Sequence, residues 1–127
     1  MNRKELAEYI ASAYGIEGGH PFNDDNDTTV FRHEVNKKWF ALVMNIPAEK
    51  LGLPAGRRLD IVNLKCSPAL IGPIRTDKGI FPAWHMNKSH WISAALDGSA
   101  DDETLRFLID LSYDLTKPKM KKARVHD

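Results

Sequence analysis

The chain has 127 residues, of which 43% are hydrophobic and 28% charged, enough apolar material for one core but hardly for two. Basic residues number 18 against 17 acidic ones, a formal net charge of +1, which argues against binding nucleic acid by bulk charge but leaves room for a local basic face. The single cysteine, Cys66, excludes a disulfide within the chain and suits a reducing cytoplasm. The charged start Met1-Asn2-Arg3-Lys4-Glu5 lacks the apolar region of a signal peptide, and no apolar run approaches the roughly 18 residues of a membrane span. These features predict a soluble cytoplasmic protein, one domain over residues 1–127, with Phe31, Trp39, Phe40, Phe81, Trp84, Trp91 and Phe107 as core candidates.

Asn2 to Tyr14 reads as a helix, with Leu6, Ile10, Ala13 and Tyr14 at helical spacing and Gly15 as its C-terminal cap. A polar loop from Gly18 to Thr29 carries Asp24, Asp25 and Asp27. Two strand-like segments follow, Thr28 to Glu34 and Lys38 to Asn45, joined by a link of hairpin length at Val35-Asn36-Lys37. The second is apolar on both faces and reads as an interior strand. After an irregular excursion from Pro47 to Arg58, Leu59 to Leu64 forms a third strand.

Ser67-Pro68 starts a helix, with serine as cap and proline in the first turn, which Gly72-Pro73 bends or stops. Ile80 to Met86 and Trp91 to Leu96 read as two more strands around a tip at Asn87-Lys88-Ser89-His90. Ser99 with Asp102 resembles a capping box, and Leu105, Leu108, Ile109, Ser112 and Leu115 mark the inner stripe of a final helix. A basic tail follows at 117–127, with Lys117, Lys119, Lys121, Lys122 and Arg124, expected to fray. The order predicts an α+β fold: a mostly antiparallel sheet of about five strands, with the N- and C-terminal helices on one face.

Three stretches carry a family likeness in their order and spacing: Asn63-Leu64-Lys65-Cys66-Ser67-Pro68, His85-Met86-Asn87-Lys88-Ser89-His90-Trp91, and Leu96-Asp97-Gly98-Ser99. Together they resemble the MmcQ/YjbR family, with Trp39-Phe40-Ala41-Leu42 as a looser match to its central strand. The resemblance covers nearly the whole chain and implies a CyaY-like "double wing" α+β fold and a DNA-binding role, itself an analogy from structure. Pro47 to Arg58 is longer than the usual connection in the family.

The segment from His85 to Trp91 has two readings. As a groove-entering tip, Lys88 would meet phosphate, Asn87 would read a base edge and Trp91 would stack on an unpaired base, with His85 and His90 alongside. As a plain turn, Asn87 supplies the unusual backbone angles and the tryptophans are core. His85 and His90 are too few for a closed zinc site unless Cys66 joins them. Cys66 precedes a helix N-terminus that would lower its pKa, beside Lys65, but also reads as a small packed thiol. The aspartates at 24, 25 and 27 lack the glycine and glutamate of a calcium loop. No glycine-rich phosphate loop, nucleophile elbow or metalloprotease motif appears, so no cofactor and no metal are expected.

The leading expectation is a non-enzymatic DNA-binding protein. Its hairpins at Asn36-Lys37 and Asn87-Lys88 would act as wings, with Lys37, Lys38, Lys88, Arg57 and Arg58 on phosphates. The second is a protein-interaction or small-ligand module using a sheet face lined by Trp39, Trp84, Met86 and Trp91. The third is a thiol- or histidine-dependent enzyme on Cys66, His85 and His90.

Overall fold

The computed structural model describes residues 1–22 and 27–119. Helix α1 (Arg3–Tyr14) starts at a reciprocal cap. The Glu5 amide donates to Asn2 Oδ1 at 2.8 Å, and the Asn2 amide donates to the Glu5 carboxylate at 2.9 Å. Asn2 is therefore the cap rather than the first helical residue, and Gly15 closes the helix at φ 68°, as its position predicts. Leu6 and Ile10 are buried, whereas Ala13 is exposed and Tyr14 only half-buried.

Five strands follow: β1 (Thr29–Arg32), β2 (Trp39–Pro47), β3 (Arg58–Lys65), β4 (Ile80–Pro82) and β5 (Trp91–Ala95). They form one antiparallel sheet in the order β1-β2-β3-β5-β4, with helix α2 (Pro68–Ile74) between β3 and β4 in sequence. Strand β5 thus inserts between β3 and β4. Helix α3 (Asp102–Thr116) packs across β2 and β3. The fold is α+β, with the terminal helices on one face of the sheet.

Alternation along the strands gives the two faces different tasks. Ala41, Val43, Val62, Leu64, Ile92, Ala94 and Ile80 face the helices and meet Leu6, Ile10, Leu105, Leu108 and Ile109. On the other face, Ile46, Leu59, Ile61 and Ala95 form a smaller buried cluster. The excursion after β2 covers this cluster with Ala48, Leu51 and Leu53, aided by Phe81 and Trp84.

Several expectations need correction. Strand β4 ends at Pro82, and beyond it the Trp84 amide bonds the Ser93 hydroxyl instead of a ladder carbonyl. Helix α3 is capped by Asp101, whose carboxylate accepts from the Thr104 amide at 3.0 Å. Ser99 is occupied in a turn against Asp97. The inner stripe of α3 passes from Ser112 to Thr116, four residues on, and leaves Leu115 41% exposed. Of the aromatic core candidates, Phe31 and Phe40 are buried, the three tryptophans and Phe81 are half-buried, and Phe107 is 54% exposed. The Ser67 hydroxyl makes no cap bond, and α2 continues through Pro73 to Ile74 before it turns. Asp24, Asp25 and most of the basic tail lie outside the described residues.

Candidate nucleic-acid interface

The registers Ala41↔Leu64 and Leu64↔Ile92 bring the start of β2, the end of β3 and the start of β5 to one end of the sheet. The loops at 33–38 and 83–90 therefore converge there, and the Cys66 amide ties the second loop in by donating to the His90 carbonyl at 2.8 Å. Lys37, Lys38 and Lys88 are exposed at this end and Lys65 is half-buried. None of the four has an ion-pair partner among the described residues. Glu34 is exposed in the first loop.

Arg57 and Arg58 are placed elsewhere. They lie at the start of β3, about 23 Å along the strand from Lys65. Arg57 pairs with Asp97 at 3.3 Å, and the Arg58 guanidinium donates to the Asn45 side chain at 2.7 Å and to its carbonyl at 2.9 Å. The antiparallel register puts both arginines at the opposite end of the sheet from the lysines with which the sequence grouped them.

The first loop is pinned to helix α3. His33 is buried, with Nε2 2.9 Å from Thr116 Oγ1 and 3.1 Å from the Tyr113 carbonyl. Thr116 already donates to the Ser112 carbonyl at 2.7 Å, so His33 Nε2 carries the proton and donates. Burial holds the imidazole pKa below its ordinary value, with nearby Lys117 adding to the effect and the bond to Tyr113 opposing it. Asn36 donates to the Thr116 carbonyl at 2.9 Å and accepts from the Lys38 amide. Lys37 takes the left-handed conformation at φ 63°. This is a fixed turn, not a free wing.

The second loop has the same economy. Asn87 Oδ1 accepts from the Ser89 amide at 2.8 Å, and its carbonyl accepts from the Trp91 amide at 2.9 Å. The left-handed residue is His85, at φ 59°, rather than Asn87 as the turn chemistry predicted. His85 lies flat on Trp84, ring centroids 3.7 Å apart. The loop root is held by Asn63, fully buried, which donates to the Trp84 carbonyl at 3.0 Å and accepts from the Ser93 hydroxyl. Asn63 thus has a structural reason to stand in the motif. Met86 is half-buried.

Between the loops the open face carries a row that sequence reasoning did not assemble. The partner of β1 moves from Ala41 to Trp39 between Phe31 and Arg32, leaving Phe40 as an extra residue. This bulge turns Phe40 to the helix face beside Ala41. Trp39 then occupies the next open-face position after Leu42, opposite Arg32. On the same face Lys65 follows Asn63 and stands opposite Trp91. The row across β1, β2, β3 and β5 reads Arg32, Trp39, Lys65, Trp91. Where the bulge opens the β2–β3 ladder, Ser112 of α3 closes the gap. Its hydroxyl donates to the Phe40 carbonyl at 2.6 Å and accepts from the Lys65 amide at 2.9 Å. A helical residue at an inner-stripe position gave no sign of that role.

Of the two readings of Cys66, the structure supports the small packed thiol. Cys66 is 1% exposed, and burial pushes its pKa up against the lowering effect of the Ser67 amide. His85 and His90 are exposed. Among the described residues no group of three His, Cys, Asp or Glu side chains is placed to hold a metal. No helix among them is long and apolar enough to cross a membrane.

The YjbR family model matches residues 11–115. The Bacillus subtilis (strain 168) uncharacterized protein YyaQ is 36% identical over 117 residues, 92% of this chain and 99% of its own length. The Escherichia coli (strain K12) uncharacterized protein YjbR is 32% identical over 114 residues, 89% of this chain and 85% of that protein. The crystal structure of a Pseudomonas syringae protein matches with a TM-score of 0.89 at 43% identity, over 92% of this chain and 100% of that one. A Deinococcus radiodurans crystal structure matches with a TM-score of 0.69 at 25% identity. With the family model spanning most of the described fold and relatives aligned nearly end to end, the chain belongs to the YjbR family.

Proposed function

We propose that this is a non-enzymatic, cytoplasmic DNA-binding protein whose contact surface is the end of the sheet where the loops 33–38 and 83–90 meet. What carries this reading is the convergence of Lys37, Lys38 and Lys88 there, with Lys65 between the loops and none of them engaged in an ion pair among the described residues. Backbone already fixed in a turn loses little further entropy when its lysines meet phosphate, so a pinned loop serves this role better than a mobile one. Left-handed backbone at Lys37 and His85, one in each loop, supports the reading, since such conformations cost roughly 1 kcal/mol or more and are retained where a position matters. Arg57 and Arg58 have no part in this surface.

The test is fluorescence anisotropy of labelled DNA across a salt series. The parent protein binds with a steep salt dependence, and the Lys37→Ala/Lys38→Ala/Lys88→Ala variant loses about three units of log–log salt slope, roughly one per phosphate contact. Equal affinity and slope for parent and triple variant would remove the assignment. A small-ligand or protein-binding role for the half-buried Trp39 and Trp91 is the second reading. It predicts binding that salt leaves unchanged.

A further inference from the structure

We infer that the open face of the sheet, along the row Arg32, Trp39, Lys65, Trp91, is a stacking platform for single-stranded DNA. This rests on the DNA-binding reading above and specifies which form of DNA the site takes. Four observations point to the same ligand chemistry. First, the row alternates cation and aromatic, and the alternation depends on the Phe40 bulge, which brings Trp39 to the open face beside β3. Second, Trp39 and Trp91 are half-buried and pack into neither of the two buried clusters. Trp84 differs, since it joins the smaller cluster and is stacked by His85. Third, neither Arg32 nor Lys65 has an ion-pair partner among the described residues. Fourth, the exposed lysines of both loops lie at the same end of the sheet as the row.

Flat aromatic surfaces next to unpaired cations suit a chain that offers ring faces and phosphates in alternation. A single strand does so, because its bases are unstacked, whereas a duplex keeps its ring faces inside the helix. The two tryptophans sit on strands separated only by β3, about 10 Å apart in strand spacing, with Lys65 between them. Glu17 brings a carboxylate beside the β1 end of the row. It lines a cavity of about 200 Å³ with Val30, Arg32 and Trp39 and makes no ion pair with Arg32. That carboxylate marks the β1 edge as the place where a bound strand would leave the sheet. The excursion after β2 covers the face at the opposite end, so the open length is limited to the loop end.

The experiment titrates the parent protein with an oligothymidylate about 12 nucleotides long, and separately with a duplex of the same length. Anisotropy of the DNA and intrinsic tryptophan fluorescence are followed together. The expected result is quenching on addition of the single strand and tighter binding of it than of the duplex. Trp39→Ala and Trp91→Ala each weaken single-strand binding roughly 5- to 150-fold, and the Phe variants keep most of it. Thermal melting confirms that each variant is folded. Should an alanine variant not fold, quenching in the parent and the Phe variants decides the matter. Duplex binding without single-strand binding or quenching would overturn the platform and leave the basic surface standing. Absence of binding to either DNA would overturn both.

Discussion

Replacing Ser112 with alanine removes one oxygen at the point where the β2–β3 ladder opens. The hydroxyl is fully buried and serves two backbone groups, donating to the Phe40 carbonyl at 2.6 Å and accepting from the Lys65 amide at 2.9 Å. The hole left by a hydroxyl is too small to admit a water that would take over both bonds. The variant therefore buries one unsatisfied acceptor and one unsatisfied donor, each costing about 1–3 kcal/mol. Alanine's better helix propensity returns about 0.5 kcal/mol. The expected net loss is about 1.5–5.5 kcal/mol, or a fall in Tm of roughly 5–20 °C for a domain of this size. Urea denaturation followed by circular dichroism measures it, with the midpoint shifting and the m-value unchanged. Ser89→Ala, at an exposed loop position, should stay within about 0.5 kcal/mol of the parent. A Ser112→Ala variant less than about 1 kcal/mol below the parent would refute the bridging role.

Two further stability predictions follow from the geometry. The depressed pKa of His33 means that the unfolded chain takes up a proton first as pH falls, so stability drops from the ordinary histidine value of 6.5 down to the lower folded value and levels off below it. Melting between pH 8 and 5 should show this slope, and His33→Phe should flatten it. The depressed carboxylates Asp60 and Asp97 act only below their ordinary 3.8, so a slope that persists in the variant would exclude His33 as its source. Gly79 and Gly72 should respond to alanine with opposite signs. At Gly79, φ is +81° and a Cβ would lie 2.7 Å from the Ala100 amide nitrogen, so alanine should cost about 2–4 kcal/mol. At Gly72, inside α2 with open space around it, alanine should stabilise by up to about 1 kcal/mol. Thermal melting of both variants checks the pair, and like signs would refute the contact at Ala100.

The first loop and the row on the open face are mechanically joined through α3. His33 and Asn36 fix the loop to the last turn of the helix, while Ser112, one turn earlier, fixes the bulge that positions Trp39. A disturbance at this end of α3 should therefore reach both parts of the candidate site.

The local signals in the sequence determined much of the frame. The helical spacing from Leu6 to Tyr14 with Gly15 delimited α1 to within a residue, because periodicity and a C-terminal cap are local and need no distant partner. The apolar run from Trp39 to Met44 marked an interior strand, and the three motif stretches, His85 to Trp91 among them, together pointed to the family. What the tertiary structure alone decided was which of these pieces share an end. Strand β5 lies beside β3 rather than at the edge, and that non-local pairing brings the loop of Lys88 to the same end of the sheet as Lys37, while the β2–β3 register leaves Arg57 and Arg58 at the far end. The Phe40 bulge and the Ser112 bridge also arise from distant groups that meet at the same backbone, whereas the choice of Asp101 over Ser99 as cap is local, Ser99 being held by Asp97 two residues before it. Periodicity reports which face a residue prefers, but a one-residue bulge reverses that face beyond it, and only the closed sheet shows where the extra residue falls.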